Sequence, residues 1–381
     1  MSELSPVVQA FLSQQFFLAL LCSIALMPIL RRLSIHIGLI DHPGGRKQHK
    51  ASIPLAGGPA IIFSVALSLY FWGIPSEYQG MVYAAAGLFL IGFIDDLFDI
   101  SAKFRLVTQF ALVVSALYWD SIWLTQISFT DSLVLKLGAF QYPITALLVL
   151  GIMNAINMLD GLDGLSSGVV LIILGFIAGI SVVAGNLSST FISVTTFGAV
   201  LGFWGFNYRF AWREKASVFM GDSGTTVLGF VLPVIAIKLS TISKESVPSS
   251  MLLWLFAIPL WDICAVVIKR LKDGKSPLQA GRDHIHHVLM NAGLTVRQSL
   301  HLIYLLTITT ISFGVALQYF GMVQAEAYAA FFGFMTVYLG RVGSLSNIKA
   351  FEAYDVESEG DRRLNPDQKV IKFEKRKSTL N

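Results

Sequence analysis

The stretch MVYAAAGLFLIGFIDDLFDIS, residues 81–101, is apolar as far as Ile94 and then carries three carboxylates, Asp95, Asp96 and Asp99. Its length suits a membrane-spanning helix, which needs about 20 apolar residues. Ionised side chains are costly inside a bilayer, and those that occur there are usually paired and functional. The stretch therefore predicts a membrane helix that ends in a functional acidic cluster.

The whole chain has the composition of an integral membrane protein. Of its 381 residues, 54% are hydrophobic and only 14% are charged, against about 25% charged in soluble proteins. We predict an all-α bundle of 11 transmembrane helices in one catalytic domain, residues 1–340. The tail, residues 341–381, is mixed in charge and poor in apolar residues, which predicts a disordered cytoplasmic segment. A net charge of only +4 gives no reason to expect nucleic acid as a partner. The predicted spans are 9–30, 56–74, 81–98, 104–120, 142–158, 166–185, 189–207, 221–239, 250–268, 299–319 and 322–340.

The distribution of Lys and Arg predicts the orientation of the bundle. Of the 28 basic residues, all but Lys136, Lys238 and Lys244 fall on one side of these spans. Because cytoplasmic connections are enriched in Lys and Arg, we expect the N-terminus outside and the C-terminus in the cytoplasm. The outer segment 124–142 alternates apolar and polar residues, which favours a short β-hairpin.

The acidic cluster at the end of the third span needs a positive partner. On a continuing helix, Asp95 and Asp99 share a face and Asp96 adjoins Asp99, so that like charges repel. Lys103 is one candidate partner, and a divalent cation held by oxygen ligands is the other. A merely solvated helix end is the plain alternative.

Two further clusters on the cytoplasmic side offer oxygen ligands. In NAINMLDGLDGLSSG, residues 154–168, the polar residues Asn154, Asn157, Asp160 and Asp163 repeat every three positions. On a helix this spacing makes one polar stripe, although Asp-Gly pairs also occur in tight turns. In VFMGDSGTTVLGF, residues 218–230, Asp222 opens the eighth span, and a helix N-terminus suits a phosphate or a metal-bound phosphate. A serine-protease interpretation of GDSG lacks a matching triad.

Two basic clusters on the same side suit anions. The loop 41–58 is rich in Gly and basic residues, and the loop 279–289 combines an arginine with three histidines. Ordinary cytoplasmic charge bias explains part of the first cluster. A zinc site at the histidine cluster would require Cys or carboxylate ligands in fixed geometry, and no Cys is near it in the sequence. Phosphoryl transfer requires oxygen ligands for a divalent cation and basic side chains that bind phosphate groups. These clusters together offer both.

The motifs RKQHKASIPLAGG, DDLFDIS with a following Lys, NAINMLDGLDGL, FMGDSG and HIHH occur in this order between Arg46 and His287. In them the chain resembles the polyprenyl-phosphate N-acetylhexosamine-1-phosphate transferases, whose fold is a bundle of ten or eleven membrane helices. RDHIHHVL and DHPGGRKQHK are similar to the bacterial N-acetylglucosamine-1-phosphate branch, which starts O-antigen and enterobacterial common antigen lipid carriers. A related enzyme using the muramoyl-pentapeptide or another N-acetylhexosamine is the alternative.

The resemblance implies transfer of N-acetylglucosamine-1-phosphate from UDP-N-acetylglucosamine to undecaprenyl phosphate, with release of UMP, at the cytoplasmic face of the bacterial inner membrane. We assign Asp222, Asn157 and Asp96 as ligands of Mg²⁺, for which Mn²⁺ would substitute. Asp95 and Asp96 would orient the acceptor phosphate, and Asp160 and Asp163 would shape the nucleotide pocket. Phe219 would stack on uracil or simply pack. A homodimer is common in the family. The residues expected to bind substrate, mainly by balancing phosphate charge, are Arg46, Lys47, His49, Lys50, Lys103, Asn154, Arg282, His284, His286 and His287.

Two rival functions fit part of the pattern. A membrane prenyltransferase would use Asp-Asp-x-x-Asp, but it needs a second such motif, to which DGLDG is only a partial match. A cation transporter would also carry membrane carboxylates, but transporter sites lie near the bilayer midplane, whereas these carboxylates gather at one face.

Overall fold

The computed structural model describes residues 5–41, 53–213, 215–242, 247–276, 281 and 283–347. Five of the predicted substrate-binding residues, Arg46, Lys47, His49, Lys50 and Arg282, lie outside the described residues. Most of the predicted tail, from residue 348 onward, does so as well.

The described residues form a helical protein, as predicted. The helices are α1 (Pro6–His36), α2 (Gly57–Trp72), α3 (Gln79–Phe98), α4 (Ala102–Trp119), α5 (Gln141–Met158), α6 (Leu165–Val183), α7 (Leu187–Asn207), α8 (Gly221–Ile242), α9 (Ser249–Leu255), α10 (Ala257–Lys272), α11 (Ile285–Asn291), α12 (Val296–Tyr319) and α13 (Gln324–Asn347). Every predicted span coincides with one of these helices, except that the ninth is split between α9 and α10.

The number of membrane spans is smaller by the strict criteria of length and apolarity. Within the described part of the chain, seven helices are long and apolar enough to cross a membrane, or eight if α9 and α10 form one span bent by 73°. The chain is thus a multi-pass membrane protein, but the count of eleven is not confirmed. The short helix α11 carries the histidine motif and was not predicted.

Two small antiparallel strand pairs connect the helices. Strand β3 (Gln126–Ser128) pairs with β4 (Val134–Lys136), which confirms the hairpin predicted within 124–142. Strand β1 (Ile40–Asp41) pairs with β2 (Ile53–Pro54), with Ile40 opposite Pro54. This second pair was not predicted, because strands of two residues leave no periodicity to detect.

Helix α8 is the centre of the bundle. It is the most enclosed of the candidate spans and packs against α3 and α5. Glycines let these backbones approach, as is common between membrane helices. A Cβ on Gly92 of α3 would lie 2.6 Å from the Cα of Ser223, and one on Gly229 of α8 would lie 2.8 Å from the Cα of Met153. The N-terminus of α8 is therefore fixed beside the C-terminal ends of α3 and α5.

Candidate active site

Asp96 caps the N-terminus of α8. Its Oδ1 accepts a hydrogen bond from the backbone N–H of Asp222 at 2.8 Å, and its Oδ2 accepts one from Ser223 at 3.1 Å. The first N–H groups of a helix have no intrahelical partner, and a carboxylate there is favoured by the helix dipole. These two N–H groups are thus occupied by a side chain, and of the two expected ligands, a phosphate or a metal-bound phosphate, the second fits this arrangement better.

The backbone before Asp222 is held from a second direction. The N–H groups of Gly57 and Gly58 donate to the carbonyls of Phe219 and Met220, each at 2.9 Å. Gly221 has a φ of +76°, and a Cβ on it would lie 2.6 Å from Asp96 Oδ2. Only glycine fits here, because both the left-handed backbone and the contact exclude a side chain. The GD turn is therefore rigidly positioned.

Arg105, on the first turns of α4, joins two of the carboxylates. Its Nη1 lies 2.5 Å from Asp95 Oδ2 and 3.0 Å from Asp222 Oδ2. Asp95 also accepts the N–H of Ile100 at 2.9 Å. The predicted positive partner, Lys103, is exposed and forms no ion pair with a described residue. Arg105, not Lys103, is therefore the cation at this cluster; a contact of Lys103 with substrate stays a prediction.

Asn157 approaches Asp222 from α5. Its Nδ2 donates to Asp222 Oδ1 and to the hydroxyl of Thr225, both at 2.8 Å. The structure thus brings together the three residues predicted as metal ligands, with Asp222 as the common point. Asp99, by contrast, is exposed in a left-handed conformation with φ of 51° at the end of α3, because the helix stops before it.

The predicted polar stripe is wrong in its second half. Helix α5 ends at Met158, and Asp160 and Asp163 lie in the turn that follows, where Gly164 has a φ of +87°. Asp163 is buried, and its Oδ2 accepts from Arg209 Nε and from the N–H of Ala216, each at 2.8 Å. Asp163 therefore fixes the loop between α7 and α8.

The other two members of the stripe have separate surroundings. Asn154 donates back to the carbonyl of Leu150 in its own helix at 2.8 Å, and no described contact joins it to Asp222. Asp160 is exposed but lies in a recess crowded by protein atoms. This crowding, together with the charges of Asp222, Asp163 and Asp96, raises the pKa of Asp160 to about 7. A cation bound nearby would lower this pKa, and a phosphate would raise it, so either would change the protonation of Asp160 near pH 7.

The histidine motif is anchored by a buried carboxylate that was not predicted. Asp262, on α10, accepts the N–H of Ile285 at 2.7 Å and lies 2.8 Å from Nδ1 of His284. His286 is only 1% exposed, and its Nε2 lies 2.3 Å from where a Cβ on Gly161 would stand. The motif thus contacts the turn that carries Asp160.

The buried His286 is neutral at pH 7. Burial, reinforced by His287 and His284, lowers its pKa well below the usual value. In this state it can offer a hydrogen bond but no positive charge; its predicted role in binding the substrate stays a prediction. His287 is half-buried. Phe219, also half-buried, donates its N–H to the carbonyl of Pro54 at 2.9 Å, and stacking on uracil stays a prediction.

Comparison with known proteins shows which family the chain is similar to. Residues 78–240 match the model of glycosyl transferase family 4. The chain is 35% identical over 293 residues to the undecaprenyl-phosphate alpha-N-acetylglucosaminyl 1-phosphate transferase of Escherichia coli O157:H7, covering 76% of this chain and 79% of that protein. The protein of the same name from Salmonella typhi is 33% identical, covering 84% of this chain and 85% of that protein. The one from Yersinia pestis is 31% identical, covering 77% of this chain and 81% of that protein.

The chain belongs to glycosyl transferase family 4.

In this family 4 glycosyl transferase, the matched region holds the whole network around Asp222 but ends before the histidine motif. Sequence reasoning missed Arg105, Thr225, Arg209 and Asp262. Asp262 had a detectable signal, because it is an isolated acid in a predicted membrane span. The other three carried none, since their roles depend on which helices pack together.

The donor set of the glycosyl transferase fits Mg²⁺ shared with a substrate. Among the described residues no three His, Cys, Asp or Glu side chains form a ready metal cage. Mg²⁺ is usually bound by one or two carboxylates with waters and substrate phosphates, through hard oxygen ligands. Asp222 and Asn157 supply such oxygens. Among the described residues of the site, the carboxyl groups of Asp95, Asp96, Asp160 and Asp222 outnumber the guanidinium of Arg105. The excess negative charge suits a bound divalent cation.

Proposed function

We propose that this protein transfers N-acetylglucosamine-1-phosphate from UDP-N-acetylglucosamine to undecaprenyl phosphate, giving undecaprenyl-pyrophosphoryl-N-acetylglucosamine and UMP. The observation that carries the proposal is the network centred on Asp222, which gathers Asp96, Asn157 and Arg105 from three other helices. The relatives, named for N-acetylglucosaminyl 1-phosphate transfer to undecaprenyl phosphate, supply the substrates. A different UDP-N-acetylhexosamine is the second candidate.

The site is proposed to face the cytoplasm of a bacterial inner membrane. This orientation rests on the basic residues, since all but Lys136, Lys238 and Lys244 fall on the side of the predicted spans that also carries Asp222. It would give the enzyme access to UDP-sugars, which are cytoplasmic. The product would start the synthesis of a cell-envelope polysaccharide such as O-antigen or enterobacterial common antigen. Assembly as a homodimer stays a prediction.

The proposed reaction is a direct displacement. A phosphate oxygen of the lipid attacks the β-phosphorus of the sugar nucleotide. A new P–O bond forms, and the bond from the β-phosphorus to the bridging oxygen breaks, so that UMP leaves with the electron pair. The second pKa of a phosphate monoester is about 6, so the acceptor is largely dianionic near pH 7. A strong general base is therefore not needed.

The residues of the chain would act mainly by position and charge. Mg²⁺, when held by Asp222, Asn157 and Asp96, would neutralise the pyrophosphate of the donor. Arg105 keeps Asp95 and Asp222 in place at 2.5 and 3.0 Å, so that their like charges do not separate the helices. Neutral His286, next to Gly161, would donate a hydrogen bond to the donor. Phosphoryl transfer depends largely on such positioning and on charge stabilisation.

Donor choice and mechanism are tested with the purified full-length protein in detergent. Given undecaprenyl phosphate and Mg²⁺, UMP release is expected with UDP-N-acetylglucosamine, and markedly slower release with UDP-glucose and UDP-muramoyl-pentapeptide. A preference for another N-acetylhexosamine would replace the sugar but keep the chemistry. Labelled UMP should not exchange into UDP-sugar without lipid; exchange would reveal a covalent enzyme intermediate and contradict direct displacement.

A further inference from the structure

A cavity of about 380 Å³ lies beside the C-terminal part of α1, and its described lining includes neither Asp222 nor Asp96. Its charged wall is formed by Arg31, Arg32 and Arg213, and its apolar wall is formed by Met27, Pro28 and Phe206. None of these residues hydrogen-bonds Asp96 or Asp222 among the contacts described. The cavity is thus a second concave surface, distinct from the proposed catalytic site.

The arginines of the cavity have unused capacity for an anion. Arg32 is exposed and makes no hydrogen bond or ion pair with a described residue, whereas Arg31 donates only to the carbonyl of Ser217 at 3.3 Å. Arg213 donates through Nη2 to the carbonyls of Gly205 and Tyr208, but its Nε is buried without a partner in the described structure. The described lining includes no carboxylate. The described lining of the cavity is therefore electropositive, and one of its arginines, Arg213, also keeps a buried Nε–H without a described partner.

Aromatic side chains beside the cavity place it at the level of lipid headgroups. Phe210 and Trp212 stack with centroids 4.8 Å apart, Trp212 is 82% exposed, and Arg213 lies 5.4 Å over the Phe210 ring. Exposed tryptophan at the end of membrane helices is typical of the membrane–water interface. An arginine close to such rings suits a lipid headgroup next to acyl chains.

We propose that this cavity binds the phosphate of an anionic phospholipid headgroup, with the start of an acyl chain against Met27, Pro28 and Phe206. The three arginines match the charge of the phosphate, and Arg is suited to hold it through two parallel hydrogen bonds. The apolar wall distinguishes a lipid from free phosphate, which would gain nothing from it.

The proposed lipid site touches the loop that holds Asp163. Arg31 binds the carbonyl of Ser217, and the preceding residue, Ala216, donates its N–H to Asp163. A headgroup bound to Arg31 would thus support the loop from the membrane side. The inference does not depend on the proposed reaction, because lipid binding is measured without a sugar nucleotide.

The test is a native mass spectrometry titration of the full-length protein in detergent with phosphatidylglycerol or phosphatidylcholine. The variant Arg32→Gln is chosen because Arg32 has no described bond to lose, and Arg31→Gln/Arg32→Gln extends it. Lys272→Gln, at an exposed cation on α10, is the matched control. Removing one arginine is expected to weaken binding of the first phosphatidylglycerol about fivefold.

The expected result is preferential retention of phosphatidylglycerol, loss in the Arg32 variants, no loss in Lys272→Gln, and no competition from inorganic phosphate. Equal retention of both lipids, or unchanged binding by Arg31→Gln/Arg32→Gln, would overturn the proposal. Competition by inorganic phosphate would identify a soluble-anion site instead. Selective displacement by undecaprenyl phosphate would assign the cavity to the acceptor and also contradict the proposal.

Discussion

Replacing Arg105 with Gln removes the only guanidinium described between Asp95 and Asp222. The side chain of Asp95 is 3% exposed, whereas those of Arg105 and Asp222 are 31% and 34% exposed. The buried bond to Asp95 is therefore worth about 2 kcal/mol, as for a hydrogen bond between charged groups. The more exposed bond to Asp222 is worth about 0.5–1 kcal/mol. The total loss is about 2.5–3 kcal/mol.

If all of this interaction energy stabilises the transition state, its loss corresponds to about a 70- to 160-fold fall in kcat/KM for UMP release. Arg105→Lys should recover part of it, because an ammonium keeps the charge but not the planar fork of donors. Lys136→Gln, an exposed cation on β4, is the control and should keep full activity. A cooperative thermal transition in each variant confirms folding. Wild-type kcat/KM in a folded Arg105→Gln would refute the assignment of Arg105 to the site.

Three further predictions follow from the geometry. Asp222→Asn should lower kcat about 100-fold or more even at high Mg²⁺. Asp283→Asn, which breaks ion pairs with Lys269 and Arg270, should stay within about threefold. Similar losses in both variants would contradict the placement of Asp222. Gly92→Ala should lower activity at least about tenfold, because the added methyl group would push α3 away from the backbone of Ser223. Gly87→Ala is the control: its methyl group would meet the side chain of Leu112 and should be tolerated. Equal activities of the two variants would contradict the close contact between the helices. Because the pKa of Asp160 is raised, the folded state binds more protons than the unfolded state between about pH 4 and 7, and the stability that Asp160 contributes is lost as pH rises through 7. With chelator present, the fall in Tm from pH 5 to pH 8 should therefore be smaller in Asp160→Asn than in wild type. An equal fall in both would contradict the raised pKa.

The sequence predicted those parts of the fold that are encoded locally. Apolar runs located every long helix, and the alternation in 124–142 located the hairpin. The break in the ninth span was not predicted, although Pro259 in the first turn of α10 is a common sign of a helix start. The predicted count of eleven spans is not confirmed, because some helices among the described residues, such as the 16-residue α2, fall short of the criteria of length and apolarity.

The site was predicted as a set of residues but not as a set of contacts. Carboxylates at helix ends identified Asp95, Asp96 and Asp222, since charged groups are rare in membrane helices. Lys103 and Arg105 are two residues apart and so point about 200° apart around α4, and only the packing of α4 decides which one meets Asp95. The predicted helical stripe from Asn154 to Asp163 is wrong beyond Met158, because the glycine-rich turn that follows does not continue the helix.

The proposed reaction is tested most directly by following both of its products. Purified protein is given UDP-N-acetylglucosamine labelled in the sugar, with Mg²⁺ and undecaprenyl phosphate. We expect equal amounts of UMP and of label in a pyrophosphate-linked lipid, no UMP when the lipid is omitted, and neither product with Asp222→Asn. UMP formation without lipid, or lipid labelling that Asp222→Asn leaves intact, would contradict it.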